Sequence, residues 1–250
     1  SAKLPVAKVP AFRGVYSRIK QGAKIYFNTP RLKALLALNL AIASASAVVI
    51  VNTVVLVQST FKLTENATTW AFGLFGFGSM LSAFILPKIL DKFPDRSVML
   101  TGTTILVIGL LSGYFITSYN GLLVLWFVLG IGYSVSQTPT GRLIRKSASS
   151  ESRTSLFAAQ FAFSHACWLV TYPLVGWLTT NIGTLQTFIP MAVIATISLL
   201  LAMRLWPSQD EALLPHSHDD LPPDHEHLQQ HRINGVHVHE YIIDDYHEKW

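Results

Sequence analysis

The sequence predicts an all-α, polytopic membrane protein with six transmembrane helices and a flexible polar tail. Half of the 250 residues are hydrophobic and only 13% are charged, about half of the charged fraction usual in a soluble domain. Six apolar runs each approach the ~20 residues that a helix needs to cross a bilayer, and none contains Lys, Arg, Asp or Glu. The runs are Leu35–Val57, Ala67–Pro87, Val98–Ser118, Gly121–Gly141, Ser155–Thr179 and Leu185–Met203.

The charged residues divide the chain into three parts. Residues 1–33 form a basic cytoplasmic linker, residues 34–206 the membrane domain, and residues 207–250 an acidic, His-rich cytoplasmic tail. The first 207 residues carry 17 Lys and Arg against four acids, whereas the rest carry two against ten. Because the cations flank apolar runs instead of forming one face, the basic balance does not indicate nucleic-acid binding. The single cysteine, Cys167, excludes a disulfide within the chain.

The cations also predict the orientation of the spans. Of the 17 Lys and Arg in residues 1–207, sixteen lie on one predicted side of the membrane: before the first span, in the links between spans two and three and between spans four and five, or after the last span. Only Lys62 lies in a link on the other side. Cytoplasmic loops of membrane proteins carry the excess of Lys and Arg. We therefore expect a multi-pass protein of the cell inner (plasma) membrane with both termini in the cytoplasm.

Apolar residues in the linker recur at helical spacing and predict a basic amphipathic helix. We expect it to lie on the anionic inner leaflet and to end before Pro30. An unstructured polybasic linker is the alternative. The predicted apolar face consists of Phe12, Tyr16, Ile19, Ala23 and Tyr26, with Arg13, Lys20 and Lys24 turned away.

Two spans contain stripes of small residues, which let helix backbones approach closely where lipid provides no hydrophobic force between helices. We expect both stripes to lie in helix contacts. Pro139 and Gly141 also predict a break near the cytoplasmic end of the fourth span. The stripes are Gly73, Gly76, Ser79 and Ser82 or Ala83 in the second span, and Gly130, Ser134, Thr138 and Gly141 in the fourth.

Polar side chains inside the spans are candidates to line a central aqueous cavity, since each is costly in hydrocarbon unless it meets a partner or water. Hydrogen bonding between helices is the alternative for each one, but polar stripes on three helices of one bundle favour the cavity. The predicted cavity residues are Asn39, Ser46, Asn52 and Thr53 in the first span, Gln137 in the fourth, and Gln160, Ser164, His165 and Trp168 in the fifth.

His165 is the one side chain within the spans that titrates near neutral pH, so it is a candidate to carry a proton or to bind a metal. A hydrogen bond to a neighbouring helix is the alternative. His165 and Cys167 are two residues apart and point roughly 200° apart on a helix, so we do not expect them to chelate one ion together. A proton-driven cycle would use His165 or an acid elsewhere, because the spans contain no carboxylate.

Three short stretches add to the six-span pattern: YFNTPRL at 26–32, GLFGFG at 73–78 and LPKILDKFPDR at 86–96. Over roughly residues 15–206 the chain resembles the carboxyl-terminal half of a twelve-helix major facilitator superfamily transporter. The third stretch is similar to the loop between the family's eighth and ninth helices, and the multidrug, siderophore and metal efflux branches are the most similar. The resemblance implies a transporter and not an enzyme, with a transport cavity, no required cofactor and an amino-terminal six-helix half as its partner.

Eight of the nine histidines lie in residues 216–247, and six of them form His-x-His pairs. Residues two apart in an extended chain lie on one side, so each pair offers two imidazoles to one ion. Imidazole with carboxylate suits Ni, Co, Zn or Cu better than Mg or Ca. A solvated acidic tail without metal is the alternative. The predicted metal ligands are His216, His218, His225, His227, His237 and His239.

Asn234 and Gly235 predict a two-residue hairpin turn within the tail. An isolated hairpin is marginal in water, so we expect a bound divalent ion to stabilise it by mass action. The predicted pairs are Ile233 with Val236, Arg232 with His237, His231 with Val238, and Gln230 with His239.

The tail also resembles the histidine-rich cytoplasmic ends of nickel and cobalt exporters of the superfamily, through residues 216–222 and 243–247. This resemblance implies a secondary-active exporter of a divalent metal, driven by proton antiport. Two alternatives stay open: an exporter of small organic molecules, such as drugs or siderophores, with an incidental metal-binding tail, and a non-transporting metal-sensing or assembly protein. No nucleophile–base set or phosphate loop indicates catalysis.

Overall fold

The structure is a computed structural model that describes residues 15–208, 214–215, 232–233 and 236–239, with side chains described over residues 19–208. The membrane domain is built from helices alone, which confirms the predicted fold class. The helices are α1 (Val15–Asn28), α2 (Pro30–Val54), α3 (Glu65–Leu90), α4 (Asp95–Gly113), α5 (Tyr119–Gln137), α6 (Thr140–Lys146), α7 (Arg153–Ile182) and α8 (Phe188–Leu205).

Six helical segments of the described chain are long and apolar enough to cross a membrane, as the sequence predicts. In the first span, α2 continues directly into a π-helical turn, Val55–Thr60. In the fourth span, α5 ends at Gln137 and α6 starts at Thr140, which confirms the predicted break beside Pro139. The segments are Pro30–Thr60, Glu65–Leu90, Asp95–Gly113, Tyr119–Lys146, Arg153–Ile182 and Phe188–Leu205.

Helix α2 lies at the centre of the bundle and packs against α4, α5, α7 and α8. Its middle stretch, AIASASAVV at 41–49, consists mainly of small residues, which allow neighbours to approach from several sides. Eighteen of its 25 residues are buried. The apolar stretches of α3 and α7, by contrast, are only 22% and 17% buried. Polar side chains on α2 therefore meet protein, whereas much of α3 and α7 faces outward.

Close packing of α3 on α5 depends on glycine, but not on all the predicted ones. A Cβ on Gly130 would collide with the carbonyl oxygen of Phe75 on α3, which confirms the predicted role of Gly130. Gly73 and Gly76 are exposed, with no atom within 4 Å of an added Cβ, so the predicted stripe is wrong at these positions. The contacting face of α3 contains Gly78 instead, and Gly76 lies roughly 200° away from it around the helix.

At one end of the bundle, which we name the basic end, charged side chains connect the helix ends through ion pairs and hydrogen bonds. The side chain of Asp95 at the start of α4 is 5% exposed and contacts Lys146 Nζ at 2.6 Å and Arg142 Nε at 3.3 Å. Arg31 at the start of α2 donates to Ser147 Oγ and to the carbonyl oxygen of Lys146, each at 2.8 Å. The break after α5 thus turns the cations of α6 toward the start of α4.

Helix α1 is a helix, as predicted, and ends before Pro30. Its described part packs against α7: a Cβ on Gly22 would collide with the carbonyl oxygen of Ser155, and Tyr26 is fully buried. Ile19, which was predicted on the apolar face, is 57% exposed. The contact with α7 thus includes Tyr26 of the predicted apolar face and centres on the glycine that lets the two backbones approach. The predicted position of this helix on the inner leaflet stays a prediction.

The described residues of the tail form three short strands: β1 (Leu214–Pro215), β2 (Arg232–Ile233) and β3 (Val236–His239). Strand β3 lies between the other two and pairs antiparallel with both. The register of β2 with β3 confirms the predicted pairs Arg232–His237 and Ile233–Val236. Strand β1, which was not predicted, pairs Leu214 with His239. The other predicted partners of β3, His231 and Gln230, lie outside the described residues.

Candidate functional site

A cavity of about 420 Å³ lies among α2, the junction of α5 with α6, and α7. The junction belongs to the basic end, so the cavity lies toward that end of the bundle. Six of the nine predicted cavity residues line it, and they come from all three predicted spans. These six are Asn39, Gln137, Gln160, Ser164, His165 and Trp168.

The other three predicted residues lie outside the cavity, farther along α2. Asn52 accepts a hydrogen bond from Thr179 of α7 at 2.7 Å, and Thr53 accepts one from Trp126 Nε1 of α5 at 2.7 Å. Ser46 donates to its own helix backbone. Seven residues of helix advance about 10 Å, so a heptad stripe that begins at Asn39 soon leaves the depth of the cavity. For Asn52 and Thr53 the alternative, hydrogen bonding between helices, is what the structure shows.

The cavity is lined without any formal charge. Its polar wall offers amides and hydroxyls, and no Asp, Glu, Lys or Arg is among the lining residues. The one imidazole of the wall belongs to His165. Any acid–base event inside this cavity has to involve that imidazole or a group brought by another molecule.

The imidazole of His165 is oriented by its own helix. His165 Nδ1 lies 2.7 Å from the carbonyl oxygen of Phe161, one turn earlier. A carbonyl only accepts, so Nδ1 holds a hydrogen, and in the neutral ring the lone pair is then on Nε2. The ring also packs against Phe161, at 3.8 Å between centroids, and against Trp168 at 5.4 Å. Within the described residues Nε2 has no hydrogen-bond partner, so it is available to an ion or a proton.

Two buried polar side chains of the cavity wall have no hydrogen-bond partner among the described residues. Asn39 is 3% exposed and its amide makes no hydrogen bond of normal geometry, although it lies beside the Tyr26 hydroxyl. Thr140 is 7% exposed and its hydroxyl is unbonded. Leaving such a group unsatisfied costs about 1–3 kcal/mol. Thr140 was not among the predicted site residues, although it follows Gln137 by three positions. Both groups are placed to bond a molecule that enters the cavity.

The apolar part of the wall is mostly aromatic and comes from α7. Phe157, Phe161 and Trp168 line the cavity, and Ile42 and Ile144 lie among them. Trp168 also stacks on Tyr172, with 6.2 Å between the ring centroids. The cavity thus combines a rigid aromatic side with a hydrogen-bonding side formed by α2, the α5–α6 junction and Gln160.

Metal-type ligands do not cluster in the part of the chain whose side chains are described. Residues 19–208 contain no group of three His, Cys, Asp or Glu side chains that could hold an ion. Cys167 is half-buried and is not among the cavity residues, in line with its predicted separation from His165. The six predicted tail ligands lie outside the described side chains: His216, His218, His225, His227, His237 and His239.

Comparison with known proteins gives a family. The family model of the Major Facilitator Superfamily matches residues 34–232, well over half of the chain. A search of curated proteins finds no match for this chain. The matched range contains five of the six membrane spans, all but the first four residues of the other one, and every residue that lines the cavity. The chain therefore belongs to the major facilitator superfamily and is a multi-pass membrane transporter.

Proposed function

We propose that this chain is the six-helix half of a secondary-active exporter that moves a divalent metal ion, such as nickel or cobalt, in exchange for protons. The observation that supports this most is the set of free ligand atoms in one cavity. The buried Thr140 hydroxyl and the Asn39 amide oxygen lack partners in the described part of the chain. The exposed His165 ring bonds the Phe161 carbonyl through Nδ1, which leaves Nε2 unbonded among the described residues. Imidazole nitrogen is a preferred ligand of these ions, and neutral oxygens can complete the shell directly or through water.

Proton antiport follows from the chemistry of a single imidazole. A metal ion needs the unprotonated nitrogen, so a proton and the ion compete for His165 Nε2. When the proton binds, the ion is released, and the two therefore move in opposite directions across one cycle. One imidazole with neutral oxygens also binds weakly enough to release its cargo, which repeated transport requires.

The charge distribution supports an export direction. Among the described residues, Lys62 is the only Lys or Arg at the end of the bundle opposite the basic end. Cytoplasmic loops carry the excess of Lys and Arg, so the basic end is proposed to face the cytoplasm of the inner membrane. The cavity lies toward that end and would load there. A second six-helix unit would complete the alternating-access cycle.

The tail is proposed to collect metal near the loading side of the membrane. Its described backbone supports this, because His237 and His239 lie in one strand, β3, that pairs on both edges. His239 pairs with Leu214 of β1. Leu214 lies two residues before His216, another predicted ligand. Residues 214–215 thus pair with the strand that contains His237 and His239.

A small organic molecule is the second candidate cargo, and the aromatic wall favours it. Phe157, Phe161 and Trp168 offer flat surfaces for stacking. The neutral amides and hydroxyls of the same cavity would bond polar groups of such a molecule. In this case the tail would bind metal without defining the cargo.

Flux measurements separate the two cargoes. Inside-out vesicles with the complete transporter would be given a pH gradient and then Ni²⁺, Co²⁺ or a planar cationic dye. The proposal predicts uptake of metal coupled to proton release, loss of both with His165→Ala, and near-normal uptake with Cys167→Ala. Transport of dye without metal would favour the organic cargo, and transport of neither would contradict the exporter proposal.

A further inference from the structure

A hydrogen bond connects helix α1, which lies outside the six spans, to the wall of the cavity. The hydroxyl of Tyr26 donates to Gln160 Oε1 at 2.6 Å. Tyr26 is fully buried and Gln160 is 6% exposed, so water does not compete freely for this bond. Tyr26 precedes residue 34, where the family match begins. A residue outside the membrane-spanning pattern thus contacts a residue that lines the cavity.

Three further contacts fix α1 at this place. Gly22 approaches Ser155 so closely that an added Cβ would meet its carbonyl oxygen. The rings of Tyr26 and Phe27 pack against Phe163 of α7, with centroids 4.9 and 5.1 Å apart. The Tyr26–Phe163 pair is edge-to-face, the favourable geometry for aromatic pairs. The ring of Tyr26 is therefore held in place independently of its hydroxyl.

The hydroxyl determines what Gln160 offers to the cavity. A glutamine amide carries one accepting oxygen and one donating NH₂ group, and rotation about its last torsion exchanges them at little cost. Because Tyr26 donates to the oxygen, the two Nε2 hydrogens remain for the cavity. The wall is then a donor at Gln160 and an acceptor at His165 Nε2. Bound water meets complementary groups at both points, whereas a metal ion meets a ligand atom only at His165.

We propose that Tyr26 is a positioning residue of the cavity: it holds the Gln160 amide in one orientation and makes α1 part of the cavity wall. This inference rests on the proposed function only in taking the cavity as the cargo route. It adds that the linker segment before the first span contributes to cargo affinity, and that displacement of α1 would change the cavity at Gln160.

Transport kinetics of the complete transporter test the positioning role, with Ni²⁺ as the probe. Tyr26→Phe keeps the ring and removes the hydroxyl, which frees the Gln160 oxygen to turn toward the cation. KM for Ni²⁺ should therefore fall about three- to tenfold, while the maximal rate changes less than about twofold. On a Gln160→Ala background the same change should have no further effect. The matched control is Tyr119→Phe, which removes a hydroxyl bonded at 2.8 Å to the carbonyl oxygen of Ala67 at the opposite end.

A second measurement needs no cargo. Gln160→Cys is placed in a transporter without other cysteines, and its reaction rate with a small water-soluble thiol reagent is followed. Adding Tyr26→Ala should speed the reaction several-fold, because the covering ring is gone, whereas Tyr119→Ala should leave it unchanged. If the parent protein moves no Ni²⁺, the proposed cargo is wrong. The planar dye then replaces Ni²⁺ in the kinetic test of Gln160, and the thiol rate decides whether α1 forms part of the cavity wall.

Two results would overturn the positioning role. In the first, Tyr26→Phe lowers the maximal rate or the folded yield while KM stays the same, which is the effect of a merely structural residue. In the second, the thiol at position 160 reacts equally fast with and without the Tyr26 ring.

Discussion

Asn39 and Thr140 show at the residue scale how far a sequence predicts a cavity. Asn39 was predicted because an amide in hydrocarbon is costly, but the same argument also selected Thr53, which serves a different contact. Cost alone does not reveal whether a polar group meets a cavity or a neighbouring helix. That depends on depth along α2 and on which helices touch it there, and both are properties of the packed bundle.

The two threonines should therefore respond in opposite ways to the same substitution. Thr140→Val removes a hydroxyl without a partner, so stability should hold or rise while cargo affinity falls about tenfold. Thr53→Val leaves the buried indole N–H of Trp126 without an acceptor, so stability should fall by about 1–3 kcal/mol with KM unchanged. Thermal unfolding in detergent and initial transport rates measure both. A loss of stability with Thr140→Val, or of affinity with Thr53→Val, would contradict this assignment.

Tyr26, at the edge of the cavity, should make the stability of the folded protein depend on pH. Burial raises the pKa of Tyr26 well above its usual value near 10, so the folded protein holds this proton more tightly than the unfolded chain. The stabilisation is full below about pH 10 and is lost as the pH rises further. The unfolding midpoint of the parent minus that of Tyr26→Phe should be constant from pH 6 to 9 and should shrink above pH 10. A difference that already changes near pH 7 would exclude Tyr26 as its source.

At the element scale, the existence of the helices was predictable and their contact faces were not. Length and apolarity determine whether a segment spans the membrane. The predicted ends of all six spans therefore lie within a few residues of the observed ends. The predicted stripe of α3 was wrong at Gly73 and Gly76 because small residues permit a contact without requiring one. Strand β1 was missed because two residues, Leu214 and Pro215, show no periodicity by themselves.

Substitution of two glycines on neighbouring helices should distinguish the effect of helix packing on stability from that of helix propensity. Gly130→Ala places a Cβ against the Phe75 carbonyl and should lower the unfolding midpoint by several degrees. Gly76→Ala meets no atom within 4 Å and should raise stability slightly, since Ala favours a helix over Gly by about 1 kcal/mol. The two variants are compared by thermal unfolding. Equal effects would mean that α3 and α5 do not pack as described.

At the scale of the whole molecule, one asymmetry of charge supports both the topology and the direction of transport. The described cations lie at the basic end with the single exception of Lys62. Asp95 joins two of them there, at 2.6 and 3.3 Å. This asymmetry was visible in the sequence because charge does not depend on packing. The location of the cavity was not visible, since three separate helices have to meet to form it.

Cysteine labelling tests the proposed topology in intact cells. Asn120→Cys, at an exposed position in the first turn of the fourth span, should react with an impermeant maleimide added from outside. Ser208→Cys, just after the last span, should react only after the membrane is opened. Labelling of Ser208→Cys from outside would place the basic end on the wrong side and would reverse the proposed direction.

The central claim is that the cavity is the transport route. Its most direct test is whether chemical modification at position 164 blocks transport and whether cargo protects that position from modification. Ser164→Cys in a complete transporter with Cys167→Ser would be treated with a thiol reagent while Ni²⁺ flux is followed, and Asn120→Cys serves as the control that reacts without affecting flux. The account predicts that modification at position 164 stops transport and that saturating Ni²⁺ slows the modification. Full transport after complete modification, or no slowing by Ni²⁺ or by the planar dye, would contradict it.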